Sequence, residues 1–326
     1  METVPSSSLY PLHRCKILHL VRHAEGIHNV AGAEKYKTSP ELLDPRLSPL
    51  GWEQVENLQK HVHACGLLER IELVITSPML RTMQTAAIVF GGDNHKNGNG
   101  ASPLMLENGK NDHATVSSLN CPPFLAHELC RERLLLARNT YLSFLIMLHR
   151  LRGVNTCDKR GSISEYKSLF PAIDFSLIES DEDILWKEDV RESDEEVSAR
   201  GMKFMKWLWT REEKEIAIVT HSAFLFQTLP KFVYNCHPST KNEICKFFAN
   251  SELRSVVMVD KSLNVVDAAQ TTQSGTGRIP FALDLLSEVA NAKRESNDNH
   301  HQQMGVTEQK KNRHCYCFID LYIRSK

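Results

Sequence analysis

The stretch LVRHAEGIHN (residues 20–29) begins as an apolar segment and then places Arg22 and His23 side by side, shortly before a glycine. Its first two residues, Leu20 and Val21, are the end of KILHLV (16–21), which has the apolar character of a short buried strand. Two side chains that resist burial directly after a core strand belong either to a basic surface loop or to a site that faces an anion. The rest of the chain distinguishes these two interpretations.

Apolar segments and helical patterns alternate along the chain. Besides 16–21, strands are predicted at 71–78, 122–130, 215–222 and 252–260. Helices are predicted around Trp52–Val62 with a stop at Gly66, at 79–90 with Ser77 as cap and Pro78 in the first turn, and after the capping box formed by Ser193 and Glu196. This alternation predicts an α/β fold, a three-layer sandwich with a mainly parallel central sheet and helices on both faces.

Three of the predicted strands lead into unusual residues. The first ends at Arg22 and His23, the second leads through a Ser-Pro turn to Arg81, and the fourth ends in His221. Ligands of such sheets bind outside the carboxyl ends of the strands, where segments distant in sequence meet. The coincidence favours a binding crevice over a basic surface loop.

The composition limits the classes of partner. The chain has 326 residues, of which 41% are hydrophobic and 24% charged, with a formal net charge of -1. A charge this close to zero favours neither nucleic acid nor an anionic membrane as a partner. The nine cysteines show no paired CxxC spacing, no apolar run reaches the ~20 residues of a membrane span, and the N-terminus lacks a secretory signal. We expect a soluble, cytoplasmic protein, with a nuclear location as the open alternative, and the sequence does not indicate its oligomeric state.

The residues at the strand ends suit phosphoryl chemistry. The guanidinium groups of Arg22 and Arg81 match phosphate oxygens, and a neutral histidine such as His23 can attack phosphorus. A second histidine, His221, can donate to the equatorial oxygens, and a carboxylic acid must protonate the leaving oxygen. The candidates for that acid are Glu128 and Glu132, and Glu128 is ranked first because it is nearer the strand end. No metal-ligand spacing such as HExxH is present, and we expect neither a metal nor a cofactor.

The motifs also carry a family resemblance. The ordered set LxRHAEGxHN, LSPLGWEQ, SPMLRTMQT and IVTHS resembles the histidine phosphatase superfamily, the phosphoglycerate mutase-like proteins. The stretches PLHRCK, HELCRE, CDKRGSISEYKSLFPAIDFSLIE and KEIAIVTHS resemble its plant members, and the resemblance covers roughly residues 10–265. Four motifs in order are much more specific than one. The resemblance implies a phosphoglycerate mutase-like fold for this domain.

The same resemblance implies roles for individual residues. His23 becomes phosphorylated, Arg22 and Arg81 hold the phosphate, and His221 is the second histidine. Asn29 matches an asparagine that contacts phosphate, although a plain turn residue is the alternative interpretation. No catalytic role is expected for three other histidines, which are His28, His127 and His149.

Three features depart from the family pattern. No FTGW-type stretch follows the RH motif, which favours a phosphatase over a glycolytic mutase. LLLARNTYLSFLIMLHRLR (134–152) resembles an insertion next to the acid, and it could bury itself, cover the pocket or spoil the site. The final HCYCFIDLYIRSK (314–326) looks equally foreign to the family. Residues 266–326 are mostly polar and are predicted to form a mostly disordered tail.

The function predicted from these residues is a metal-independent phosphomonoester hydrolase that acts on a small phosphorylated metabolite through a phosphohistidine. Two alternatives remain open. One is a phosphoglycerate mutase-type transfer of the phosphoryl group, and the other is a non-catalytic phosphate-ester binder disabled by the insertion.

Overall fold

The computed structural model describes residues 12–31, 42–92, 102–107, 113–132, 156–186, 192–233 and 237–260, together with the backbone of Cys317–Leu321. A single sheet lies at the centre, with strand order β4-β3-β2-β5-β1-β6-β7. The strands are β1 (Cys15–Arg22), β2 (Leu73–Thr76), β3 (Phe124–Ala126), β4 (Ile173–Asp174), β5 (Glu215–Thr220), β6 (Leu253–Asp260) and β7 (Cys317–Leu321).

Strands β4, β3, β2, β5 and β1 are mutually parallel, so their carboxyl ends meet at one edge of the sheet. Strand β6 runs antiparallel to β1, and β7 runs parallel to β6. The mainly parallel sheet predicted from the sequence is therefore confirmed.

Helices cover both faces of the sheet. They are α1 (Ile27–Ala31), α2 (Pro49–Ala64), α3 (Leu80–Phe90), α4 (Ile163–Leu169), α5 (Asp194–Thr210), α6 (Ser222–Thr228) and α7 (Pro238–Ile244). Helices α2, α3 and α4 contribute to one core cluster, and α5, α6 and α7 contribute to the other. The three-layer α/β arrangement is confirmed.

The alternation of side chains along the strands divides the core between these two faces. In β5, Ile216 and Ile218 face the α5 side, whereas Ala217 and Val219 face the α3 side. All of these side chains are buried because a parallel sheet is covered on both faces. The sheet edge that carries the strand ends is thereby held rigidly between two helical layers.

Two local predictions were wrong in detail. Strand β3 spans three residues rather than 122–130, because Pro122 and Pro123 have no N–H for a ladder and a 3-10 helix begins at Glu128. Ser77 does not cap α3, whose N-cap is Met79 without a side-chain bond. The carboxylate of Asp44, from a distant loop, accepts the N–H of Leu80 instead, at 2.9 Å.

Helix α2 and the loop after His23 approach each other closely. Ser48 caps α2 by accepting the N–H of Gly51 at 3.0 Å, and its hydroxyl donates to Glu25 at 2.7 Å. A Cβ atom at Gly51 would lie 2.1 Å from the carbonyl oxygen of Glu25, so glycine is required there. The predicted stop of this helix at Gly66 is confirmed, since Gly66 has a φ of +62°.

The predicted insertion at 134–152 lies outside the described residues, as does most of the predicted tail at 266–326. The described part of that tail is β7, which adds an edge strand beside β6. Among the described helices, none combines the length and the hydrophobicity required to cross a lipid bilayer.

Candidate active site

The parallel strands place the predicted site residues at one edge of the sheet. Arg22 is the last residue of β1, Ser77 follows β2, and His221 follows β5, which lies between these two strands. The backbone N–H of His23 continues the ladder by donating to the carbonyl of Thr220 at 3.0 Å. His23 and His221 are thus neighbours, with 5.1 Å between their ring centroids.

The ring of His23 is held in one tautomer. Its Nδ1 lies 2.7 Å from the carbonyl oxygen of Ala24, which can only accept, so Nδ1 carries the proton and Nε2 keeps a free lone pair. Burial, the guanidinium charges of Arg81 and Arg22, and His28 hold the pKa of His23 well below its ordinary value of 6.5. A neutral imidazole with an available Nε2 is the form that a nucleophile requires.

The ring of His221 is fully buried and bonded at both nitrogens. Its Nε2 lies 2.9 Å from the hydroxyl oxygen of Ser77, and its Nδ1 lies 3.4 Å from Nη2 of Arg81. Because a guanidinium only donates, Nδ1 accepts and Nε2 donates to Ser77. Burial and the charge of Arg81 lower the pKa of His221 well below its ordinary value, so this ring is also neutral at pH 7.

Each predicted phosphate arginine is anchored by a main-chain carbonyl. Nη1 of Arg22 donates to Phe248 at 2.8 Å, and Nη1 of Arg81 donates to Cys157 at 2.8 Å. The Nε atoms of both guanidinium groups are buried and make no hydrogen bond within the described residues. The two arginines therefore bring positive charge and free donors to the site.

The two candidate acids occupy different environments. Glu132 lies in the site, with Oε2 4.0 Å from Nδ1 of His221. Glu128 instead binds two arginines, at 3.1 Å to Arg131 and 2.8 Å to Arg160. Of the two glutamates, Glu132 is thus the one beside His221, and the identity of the general acid stays a prediction.

Comparisons with known proteins identify the family of this chain. Residues 18–96 match the family model described as the histidine phosphatase superfamily (branch 1). Phosphoglycerate mutase-like protein 2 of Arabidopsis thaliana is 52% identical over 308 residues, which cover 90% of this chain and 88% of that protein. The chain belongs to the histidine phosphatase superfamily. Phosphoglycerate mutase-like protein 1 of the same plant is 53% identical over 292 residues, which cover 89% of this chain and 96% of that protein.

Among solved structures, mycobacterial hydrolase 1 matches 75% of this chain and 92% of its own, with 14% sequence identity and a TM-score of 0.41. The membership of the family rests on the plant relatives. This histidine phosphatase is an enzyme of the phosphoglycerate mutase-like type.

In this histidine phosphatase, Asn29 braces the loop that follows the RH motif. Its Oδ1 accepts the N–H of Gly26 at 2.9 Å and lies 3.4 Å from Nδ2 of Asn250. The same Nδ2 also donates to the carbonyl of His23 at 3.3 Å. A contact between Asn29 and phosphate stays a prediction.

Several residues of the site escaped the sequence analysis. His28, for which no catalytic role is expected, lies against His23, the predicted nucleophile, with 5.7 Å between the ring centroids. The ring folds back over Gly26, where a Cβ atom would lie 2.5 Å from Nδ1 of His28. Asp158 and Asn250 come from segments far away in sequence. Asp158 is the aspartate of the CDKR stretch, and Asn250 lies just before β6, which are the only sequence signals that could have drawn attention to them.

One group of side chains has the composition of a metal site. Ligand atoms of His23, Glu132 and His221 lie within 4.8 Å of one another. However, Arg81 lies 3.4 Å from the same Nδ1 of His221 that would bind the ion, and its positive charge opposes a cation there. The charges favour an anion, and the absence of a metal requirement remains a prediction.

Proposed function

We propose that this chain is a phosphomonoester hydrolase that acts on a small phosphorylated metabolite through a phosphohistidine at His23. One observation carries the proposal. The bond from Nδ1 to Ala24 leaves the Nε2 lone pair of a neutral ring free, in a site that also holds Arg22, Arg81 and the carboxylate of Glu132.

In the first step, Nε2 of His23 attacks phosphorus and the bond between phosphorus and the ester oxygen breaks. Arg22 and Arg81 neutralise the charge on the equatorial oxygens. His221 stays neutral, and its Nδ1 accepts from Nη2 of Arg81, so that it helps to orient this guanidinium. Glu132, in its protonated form, gives its proton to the departing oxygen, so that an alcohol leaves rather than an alkoxide.

In the second step, the Glu132 carboxylate takes a proton from water, and the resulting hydroxide attacks phosphorus. The bond between phosphorus and Nε2 breaks, and the lone pair returns to His23. Inorganic phosphate leaves and Glu132 is protonated again. Each group recovers its starting form, and no metal or cofactor takes part.

Hydrolysis is favoured over transfer to a second phosphoglycerate because the FTGW-type stretch of glycolytic mutases is missing from the sequence. Turnover is favoured over passive binding because Glu132 lies beside both histidines. The free thiols of the described cysteines support a cytoplasmic location.

The test is release of phosphate from a panel of small phosphomonoesters in the presence of a metal chelator. The intact chain is compared with His23→Ala and with His13→Ala, which removes an exposed histidine. We expect hydrolysis by the intact chain and by His13→Ala, and loss of at least about 10³-fold for His23→Ala.

Trapping identifies the intermediate. Phosphohistidine survives alkali but not acid, so labelled phosphate should stay on the protein after an alkaline quench and be lost after acid treatment. Phosphate release by His23→Ala at the rate of the intact chain would refute the proposal. Formation of an isomeric phosphate ester with little free phosphate would identify a mutase instead.

A further inference from the structure

The carboxylate of Asp158 binds one side of the guanidinium group of Arg81, the second predicted phosphate arginine. Oδ1 of Asp158 lies 3.2 Å from Nη2 of Arg81, and Nη1 of the same guanidinium is bonded to the carbonyl of Cys157. Arg81 is 1% exposed, and the Asp158 side chain is 12% exposed. The pair lies inside the pocket, where water screens the charges little.

Asp158 is fixed in this position from outside the site. Nη2 of Arg131 donates to its main-chain carbonyl at 2.7 Å, and both Nη atoms of Arg131 bind the carboxylate of Asp183, at 2.7 and 2.6 Å. The backbone N–H of Arg160 donates to Asp183 at 3.0 Å. These bonds hold the segment after Thr156 against the strand ends, so the carboxylate cannot leave Arg81 without a change of rotamer or of these contacts.

Asp158 also adds a negative charge to the surroundings of Cys157. The thiol of Cys157 is affected by the negative charges of Asp158 and Glu132 and by the positive charge of Arg81. Burial and the two carboxylates raise its pKa. With neutral histidines and a protonated Glu132, the carboxylate of Asp158 offsets one of the two guanidinium charges of Arg22 and Arg81. The phosphate dianion therefore meets a reduced net positive charge.

We propose that Asp158 is a built-in competitor of phosphate for Arg81, which weakens the binding of inorganic phosphate and speeds its release. The proposal rests on the proposed function, because it needs phosphate to bind at Arg81. When a substrate binds, its oxygens share or replace the contact between Arg81 and Asp158. The repulsion between the carboxylate and the phosphate then limits affinity for the product of hydrolysis.

The test is calorimetric titration of the full chain with inorganic phosphate, alongside Asp158→Asn. The amide keeps the size of the side chain and its acceptor oxygen but removes the charge. We expect the dissociation constant for phosphate to fall about tenfold, since a unit charge a few ångströms from the dianion is only partly screened. Asp181→Asn, which removes an exposed carboxylate bonded to Ser164, is the matched control and should leave the constant unchanged.

A role limited to holding Arg81 in place gives the opposite result. Asp158→Asn and Asp158→Ala would then both weaken phosphate binding, because the guanidinium would lose its anchor. The inference is overturned by a dissociation constant that rises or stays the same in Asp158→Asn while the intact chain still hydrolyses esters through His23. If the intact chain neither binds phosphate nor releases it, the proposed function fails, and this inference fails with it.

Discussion

The Oε2 atom of Glu132 lies 4.0 Å from Nδ1 of His221, and the N–H of Phe224 donates to Oε1 of the same carboxylate at 3.3 Å. The contact with Phe224 turns the carboxylate toward the histidine pair. Glu132 is therefore held beside the histidine pair, where we propose that it protonates the leaving oxygen.

Replacement of Glu132 by glutamine should lower kcat by about 10²–10⁴-fold for an alkyl phosphate, since an amide cannot donate the proton of a carboxylic acid. An ester with an acidic alcohol, such as p-nitrophenyl phosphate, needs this proton less and should lose less activity. Steady-state kinetics on both substrates measures the difference. Equal losses on the two esters would contradict a role in protonating the leaving group.

The sequence located Arg22, His23 and His221 because each of them directly follows or ends a strand. A position along a parallel strand determines a position at the sheet edge, so these residues converge once the sheet is parallel. The position of Arg81 at this sheet edge is determined in the same way, since Arg81 lies in the first turn of the helix after β2. The fold class follows from the same periodicity.

The choice between Glu128 and Glu132 could not be made in this way. The chain leaves β3 through a 3-10 turn, and side-chain directions after such a turn depend on tertiary partners. The partners of Glu128 come from the turn itself and from Arg160, which is distant in sequence. Distance along the chain from the strand end therefore did not indicate that Glu132 is the glutamate beside His221.

Glu128→Gln should affect folding more than chemistry. The change removes the carboxylate charge that pairs with Arg160 and that Arg131 shares with Asp183. The side chains of Arg131 and Arg160 are only 8% and 1% exposed. Loss of a partner from such a buried network costs about 2–4 kcal/mol in the free energy of unfolding. Urea denaturation at pH 7 measures it, and kcat of the folded fraction should change less than in Glu132→Gln. A larger loss of kcat in Glu128→Gln would restore Glu128 as the candidate acid.

The stability of the protein should fall with pH below about 6.5, and His127 supplies a measurable share. Burial lowers the pKa of His127 to about 4, so the unfolded chain binds a proton at a higher pH than the folded chain does. The contribution of His127 to the free energy of unfolding is constant above pH 6.5. It decreases between pH 6.5 and about 4, by up to ~3 kcal/mol in total.

His127→Asn preserves the acceptor that Nδ1 offers to the N–H of Leu129 but removes the titration. Urea denaturation of the variant between pH 7 and pH 5 should therefore show a shallower decrease than the intact chain. His13→Asn, an exposed control, should follow the intact chain. Parallel curves for His127→Asn and the intact chain would show that this ring does not titrate differently on folding.

Tyr166 links α4 to the start of the helix that carries Arg81. Its hydroxyl donates to the buried carboxylate of Asp44, which in turn accepts the N–H of Leu80. Tyr166→Phe leaves this carboxylate short of a donor and should reduce the free energy of unfolding by about 2–3 kcal/mol. The same urea experiment on Ser168→Ala, which removes an exposed hydroxyl from α4, should show a change below about 0.5 kcal/mol. A Tyr166→Phe protein as stable as the control would show that the hydroxyl is dispensable.

Arg254 should act on catalysis from a distance, through the loop that anchors Arg22. Its guanidinium lies 3.8 Å from the ring centroid of Phe248, whose carbonyl accepts from Arg22. The guanidinium also donates to the carbonyl oxygens of four residues, which are Glu243, Ile244, Lys246 and Phe247. A lysine cannot reproduce this planar set of donors.

Arg254→Lys should therefore lower kcat/KM about tenfold, because an anchor displaced by about 1 Å misplaces the phosphate arginine. Arg211→Lys is the matched control and should keep full activity. Arg211 forms a partly exposed ion pair with Glu213 in the segment that precedes β5. The kinetics are measured at a temperature well below the unfolding transition of each variant, so that loss of folded protein does not contribute. An Arg254→Lys enzyme with the kcat/KM of the intact chain would show that the loop holds Phe248 without this arginine.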